Sequence, residues 1–259
     1  MSRQDSDNFI AKSFASSEEI EAYNKLQDLF GRSPIPAHEV LANLGLFHVR
    51  ASFVRMQFIY NLYLKALKTH GVIMEFGVRW GQNLSLFTTF RTIHEPYNLS
   101  RKIIGFDTFE GFPNVSMQDG ASDEARVGAY PVTADYEAYL EELLSAQERL
   151  GPRSHVKRHE LIKGDVAQTL PKYLNDHPET IIALAYFDLD LYEPTKTCLD
   201  LIRPHLVKNS VVGFDELVCD QFPGETQALK ETWGLSNVEI IRDPTSPQQS
   251  YLIVGEGQS

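Results

Sequence analysis

Two hydrophobic rhythms alternate along the chain from residue 72 onward. Apolar runs of strand length occupy 72–76, 102–107, 157–162, 181–187 and 210–214, and between them apolar positions recur at helical spacing over 82–91, 135–149, 166–174 and 194–202. Strands alternating with helices require parallel neighbours joined by crossovers, so the pattern predicts an α/β fold with a doubly wound sheet. The rhythm changes near the end. Residues 226–233 read as a helix, but 238–242 and 250–254 are strand-like pieces joined by the turn-rich stretch 243–249. A connection that short cannot make a parallel crossover, so a C-terminal antiparallel hairpin completes a mostly parallel sheet of seven strands.

Before residue 71 the pattern holds no strand. Residues 1–17 are polar and read as a loose tail. Ser16-Ser17-Glu18-Glu19 then offers a capped start for a helix to about Phe30, which 31–36 break with Gly and Pro. From 37 to about 70 apolar residues return at helical spacing, with Leu41, Leu44, Phe53, Met56, Ile59, Tyr60, Tyr63, Leu64 and Leu67 as the expected core positions. The expected organisation is an N-terminal helical addition over 1–70, serving as a cover, and a main domain over 71–259. Inside the latter, 114–135 is longer than a compact connection requires and reads either as a lid over the substrate or as a surface insertion.

Composition narrows the partners. Apolar residues make up 42% of 259 positions, enough to bury a core, while a formal net charge of −11 argues against a nucleic-acid groove, which needs clustered Lys and Arg. The longest apolar run, 181–187, is too short to span a bilayer, and the N-terminus has no apolar signal core. Cys198 and Cys219 have neither metal-ligand spacing nor the density of a disulfide scaffold. A cytoplasmic protein with no membrane partner is expected.

The chemistry gathers where a parallel sheet collects its ligands, at the carboxyl ends of the strands. The first strand ends in Glu75-Phe76-Gly77-Val78-Arg79-Trp80-Gly81, an E-x-G-x-x-x-G turn without the third glycine of a dinucleotide fingerprint. It resembles the first motif of class I S-adenosylmethionine-dependent methyltransferases. The other strands also end in acids: Asp107, then Asp165 after the third, Asp188 with Asp190 after the fourth, and Asp215-Glu216 after the fifth. An acid after the second strand suits ribose hydroxyls, and Asp165 suits an adenine amino group. Four carboxylates crowded at the fourth and fifth strand ends would repel one another without a counterion, and oxygen ligands favour a hard dication such as Mg²⁺. Asp188, Asp215 and Glu216 are the expected metal ligands. Asp190 is left as a supporting residue or a general base, or as part of the cap of the helix that follows.

Two longer motifs sharpen the resemblance. Gly105-Phe106-Asp107-Thr108-Phe109-Glu110-Gly111-Phe112-Pro113 and Phe187-Asp188-Leu189-Asp190-Leu191-Tyr192-Glu193-Pro194-Thr195 resemble the macrocin O-methyltransferase family, Mg²⁺-dependent enzymes that methylate deoxysugar hydroxyls of natural products. The resemblance implies cofactor contacts at Glu75, Gly77, Asp107 and Asp165 and metal ligands at Asp188, Asp215 and Glu216; Gly81 and Thr108 are further expected cofactor contacts, and Asp188 or Asp190 is the expected catalytic base. The chain departs from the family in carrying Asp215-Glu216 where two aspartates are common, and Arg79-Trp80 where the order is usually reversed.

The expected reaction follows. A bound dication lowers the pKa of a sugar hydroxyl and fixes its oxygen in line with the sulfonium methyl, and a nearby carboxylate removes the proton. His38, His48, His155 and His159 are further bases that the sequence leaves open. A phenolic or catechol-like acceptor is the alternative within the same chemistry, disfavoured because residues 189–193 contain no lysine. A non-catalytic cofactor-binding protein and an NAD-dependent oxidoreductase are the readings from other classes. The apolar N-terminal helices make a homodimer or larger homo-oligomer the expected state.

Overall fold

The computed structural model describes residues 16–246 and 248–255. The expected N-terminal tail lies, apart from its last two residues, outside them. The described chain falls into two compact units, divided between Val54 and Arg55.

The first unit opens with helix α1 (Ser17–Gly31). The Ser16 side chain accepts the Glu19 amide and Glu19 returns the bond to the Ser16 amide, a capping box that the sequence announces. A short helix α2 (Ala37–Val40) runs into a 3₁₀ segment over Leu41–Phe47. With three residues per turn, that segment does not follow the 3.6-residue period from which its core positions were read, and Leu41 and Leu44 are exposed. Phe53 is exposed as well.

Helix α3 (Arg50–Ala66) runs through the division, and its residues from Arg55 on belong to the second unit. There Phe58, Ile59, Leu62, Tyr63 and Ala66 are buried. The sheet follows: β1 (Val72–Phe76), β2 (Ile103–Asp107), β3 (His159–Lys163), β4 (Ile182–Phe187), β5 (Leu206–Phe214), β6 (Ile241–Arg242) and β7 (Ser250–Ile253). Their order is β3-β2-β1-β4-β5-β7-β6, with β7 antiparallel to both β5 and β6 and the other pairs parallel. This is the predicted doubly wound, mostly parallel sheet of seven strands with a C-terminal hairpin, the class I methyltransferase fold.

Adjacent residues on one strand serve opposite faces. Met74, Ile104, Phe187 and Val212 join one core with α6 (Val166–Asp176), α7 (Tyr192–Ile202) and α8 (Gly224–Thr232). Ile73, Ile103, Tyr186 and Val211 join the other with α3, α4 (Gln82–His94) and α5 (Tyr136–Arg149). Two covered faces explain the near-continuous apolar runs of the parallel strands. No helix among the described residues is long and apolar enough to cross a membrane.

Candidate active site

The parallel ladder carries the strand ends side by side. The amide of Gly77 donates to Phe106 O (3.0 Å), that of Asp188 to Phe76 O (2.8 Å) and that of Asp215 to Phe187 O (2.9 Å). Register alone therefore places the turns after β1, β4 and β5 at one edge. Gly77 has φ +90°, and a Cβ there would sit 1.8 Å from the carbonyl oxygen of Asp188. The glycine expected to make room for a ligand makes room for the neighbouring strand's turn. Gly81, at φ +76°, is the N-cap of α4, and a Cβ there would press on Leu140.

The acids of the proposed cofactor side are held by the chain itself. Glu75 is buried, its Oε1 accepts from Asn83 (2.9 Å), and its Oε2 has no partner. Burial raises its pKa well above the ordinary carboxylate range. Asp107 staples the Gly-rich turn to β2: Oδ2 accepts the amides of Val78 (2.6 Å) and Arg79 (2.8 Å), and Oδ1 that of Phe109 (2.5 Å). Thr108 donates to Gly111 O (2.7 Å) and closes the next turn. Asp165 is the N-cap of α6, its Oδ1 accepting from Ala167 N (2.9 Å).

At the ends of β4 and β5 the structure adds a residue the sequence reading missed. Arg55 spans the two strand-end aspartates, donating from Nη1 to Asp215 Oδ1 and Oδ2 (2.7 and 2.8 Å) and from Nη2 to Asp188. Asp215 Oδ1 also accepts from the Tyr186 hydroxyl (2.6 Å) and Gln249 Nε2 (2.7 Å). Burial acts to raise Asp215, but Arg55, Gln249 and Tyr186 outweigh it and hold the carboxyl below its usual value. Burial and the charge of Asp215 push Asp188 up.

The neighbouring acids are less well supplied. Asp190, at φ +62°, is pushed well up by burial and by Asp188, Glu216 and Asp215. Glu216 is raised by burial and Asp215, and its buried Oε2 has no partner. Glu225, fully buried on α8, accepts the amides of Leu189 (3.2 Å) and Glu216 (3.3 Å) and so ties the two strand-end turns together. The structure thus brings Asp188, Asp215 and Glu216 to one edge, with Arg55 in the position of the expected counterion. As arranged, no three His, Cys, Asp or Glu residues among the described ones form a metal-binding group.

The segment 114–135 packs against this edge. Phe112, Tyr130 and Phe222 form a ring cluster with centroids 5.3–6.3 Å apart, and the Arg79 guanidinium lies 4.9 Å from the centroid of Tyr130. Burial and the charges of Asp190, Glu124 and Glu216 push the Tyr130 hydroxyl up to about 12. Asp119, 1% exposed, accepts the Ser116 amide on Oδ2 (2.6 Å) and the Tyr192 amide on Oδ1 (2.5 Å). It therefore caps α7 from a distant part of the chain, and that helix begins at Tyr192 instead of the expected Pro194. Asp190 makes no cap; the N-cap position is Leu191, which has no side-chain bond to give.

No family model matches the chain, and no curated protein does. Among solved structures, CalS11, described as a calicheamicin methyltransferase, superposes with a TM-score of 0.91 at 45% identity, covering 95% of this chain and 96% of its own. This chain belongs to the class I sugar O-methyltransferase family that contains CalS11. Like the other members, it is an S-adenosylmethionine-dependent O-methyltransferase. A second CalS11 structure, the apo form, described as a TDP-rhamnose 3'-O-methyltransferase, matches at 42% identity over 95% of this chain and 98% of its own, with a TM-score of 0.83. The O-methyltransferase NovP, at 18% identity and a TM-score of 0.55 over 77% of this chain, shares the fold.

Proposed function

We propose that this enzyme transfers the methyl group of S-adenosylmethionine to a hydroxyl of a deoxyhexose in natural-product biosynthesis, the sugar being carried on a nucleotide or on an aglycone, and that Mg²⁺ assists. The observation that carries the reading is the full-length likeness to CalS11, which acts on TDP-rhamnose. Residue chemistry supports the cofactor side. A carboxylate offers about four lone-pair positions, so Asp107, with three filled by backbone amides, keeps one for a ribose hydroxyl. Asp165 keeps Oδ2 for the adenine amino group, and Glu75, whose Oε2 is left without a partner, is the acid offered to the methionine portion. Gly77, Gly81 and Thr108 shape the two turns around it.

On the acceptor side the residue types, all carboxylates, are those that suit a hard cation, although as arranged they form no metal-binding group. Of the carboxylates there, Asp188, Asp190, Asp215, Glu216 and Glu225, Arg55 bridges Asp188 and Asp215, and a buried oxygen of Glu216 is left over. Asp188, Asp215 and Glu216 would hold the ion, which when bound supplies a lower pKa to the acceptor hydroxyl. Asp190, which is not among the ion's ligands, would take the proton as the oxygen attacks, with Asp188 the alternative base where the ion leaves it free. The rings of Phe112, Tyr130 and Phe222 give the sugar an apolar wall. The reading further takes the enzyme to be cytoplasmic, in keeping with two free buried cysteines, and a homo-oligomer, in keeping with the exposed Leu41 and Leu46.

The test is a methylation assay with TDP-deoxyhexoses and catechols side by side, in wild type and Asp188→Asn. Methylated sugar is expected from the wild type. Asp188→Asn should lose at least about 100-fold in kcat, about 3 kcal/mol of transition-state stabilisation, with S-adenosylhomocysteine affinity kept. Turnover of catechols alone would sink the sugar assignment.

A further inference from the structure

A cavity of the second unit lies away from the acids at the strand ends, between α3 and the C-terminal hairpin. It holds about 490 Å³ and is lined by Asn61 and Lys65 of α3, Arg242 of β6, the following Asp243, and Tyr251 of β7, with Leu64 among its apolar members. That volume falls within the range of small-molecule sites. Its polar members are mostly donors with nothing in the chain to donate to. The Lys65 ammonium stands 5.0 Å from the centroid of the Tyr251 ring, and among the described residues no carboxylate pairs with it. Arg242 donates Nε to Ser246 O (3.4 Å) and keeps both terminal nitrogens over. The Asn61 amide and the Tyr251 hydroxyl make no hydrogen bond among the described residues. Asp243 is the one acid of the lining. It is buried, and its Oδ1 is taken by the amide and the hydroxyl of Thr245.

Two cations and two neutral donors thus line one cavity in a chain whose net charge is −11. Like charges at one cavity repel, and an anion between them turns the repulsion into attraction. The planar fork of an arginine matches two oxygens of one phosphoryl group, and a lysine serves a neighbouring one as a point charge. A diphosphate offers both groups. The cavity is also near enough to the acids for one ligand to meet both. Asn61 comes six positions after Arg55 on α3, about 9 Å of helix, and Arg55 bridges Asp188 and Asp215. Tyr251 comes two positions after Gln249, about 7 Å of strand, and Gln249 donates to Asp215. An extended nucleotide sugar is longer than either path.

We propose that this cavity binds the diphosphate of a nucleoside diphosphate, with Arg242 and Lys65 as its charged contacts and Asn61 and Tyr251 as its neutral ones. Under the sugar-transfer reading, on which this rests for the source of the diphosphate, the acceptor is a sugar carried on a nucleotide rather than on an aglycone.

TDP is the probe, titrated calorimetrically into wild type, Lys65→Met, Arg242→Gln, Arg242→Lys and the double variant Lys65→Met/Arg242→Gln. S-adenosylhomocysteine binding is measured on each as proof of folding; Lys65 and Arg242 are exposed, so their replacement leaves the core intact. Each of Lys65→Met and Arg242→Gln should weaken TDP binding by about tenfold and the double variant by more, with Arg242→Lys recovering part of the loss because it keeps the charge without the fork. Affinity for S-adenosylhomocysteine should not move. In the methylation assay the KM for a TDP-deoxyhexose should rise at least about tenfold in the double variant with a much smaller fall in kcat, since a diphosphate is held alike in the ground and transition states.

TDP that does not bind the wild type, or that binds the folded double variant as tightly as the wild type, overturns the site, and the sugar reading then stands or falls on its own assay. TDP binding that weakens in the variants while no TDP-deoxyhexose is methylated upholds the site, makes a free nucleotide its ligand, and sinks the nucleotide-sugar acceptor instead.

Discussion

The second unit buries two groups of charged side chains, and they are built on opposite rules. One lies where α4, α5 and β3 meet. Arg91 donates to Glu148 and to the carbonyls of Arg158 (2.7 Å) and Arg101 (3.2 Å), the Arg158 amide donates to Glu148 (3.1 Å), and His159 pairs with Glu141 (3.1 Å). Each of these carboxylates has donors from cations or amides, while the Nε atoms of Arg91 and Arg158 are buried without a partner. The other lies at the ends of β4 and β5, where Arg55 bridges Asp188 and Asp215 and the neighbouring Asp190, Glu216 and Glu225 are pushed up by burial and by one another's charges. Matched burial secures packing, whereas unmatched buried charge costs stability. In the proposed function, the surplus of acids at this sheet edge is what a ligand would meet.

The sharpest way to break the comparison is to unbalance the first group. Arg91→Met should lower the unfolding free energy by about 3–5 kcal/mol, because it takes the guanidinium away from the buried carboxylate of Glu148 and from the carbonyls of Arg158 and Arg101. Urea unfolding reads it, and a loss under 1 kcal/mol would show that the group is not structural.

Acid offers a graded version. Burial works to raise Glu148, but His159, the Arg158 amide and Arg91 outweigh it and bring the carboxyl down to about 2. A depressed folded pKa gives stability that is complete above the unfolded value near 4.3 and is lost as pH falls toward 2, about 3 kcal/mol in all. Unfolding curves between pH 6 and pH 2 should show that limb, and Glu148→Gln should lack it.

The acidic edge should respond with the opposite sign and a smaller size. Asp190 has its folded pKa raised, so the wild type loses stability as pH rises past the unfolded value near 3.9 toward the folded one. Asp190→Asn removes a surplus charge and should raise the unfolding free energy at pH 8 by about 1 kcal/mol, the gain vanishing near pH 4. Paired denaturant titrations at the two pH values measure it. A destabilised Asp190→Asn at pH 8 would mean that this edge, too, is balanced.

Much of this frame was legible in the sequence, for a physical reason. Strands covered on both faces leave continuous apolar runs, and the acids and glycines that end them are local signals, so β1 and β4 were placed to within a residue. β5 begins at Leu206, earlier than its apolar run, because its first residues are exposed and carry Lys208 and Asn209. The acids at the edge followed from strand ends alone. Their partners did not: Arg55 stands 133 and 160 positions from the acids it bridges, and Gln249 is 34 from Asp215. An arginine among Val54, Met56 and Phe58 was the one local hint. Asp119 likewise reads as an ordinary loop acid until the fold puts it 2.5 Å from the Tyr192 amide.

That bond has a bearing on redesign. Gly224 sits against it so closely that a Cβ would lie 2.7 Å from Asp119 Oδ1 and 2.5 Å from Tyr192 N. Anyone exchanging residues 114–135 for a relative's version is therefore also exchanging the stopper of a helix beside the acidic edge. The transplant has to carry an aspartate at 119 and leave the glycine at 224, or the recipient scaffold begins α7 in a different place.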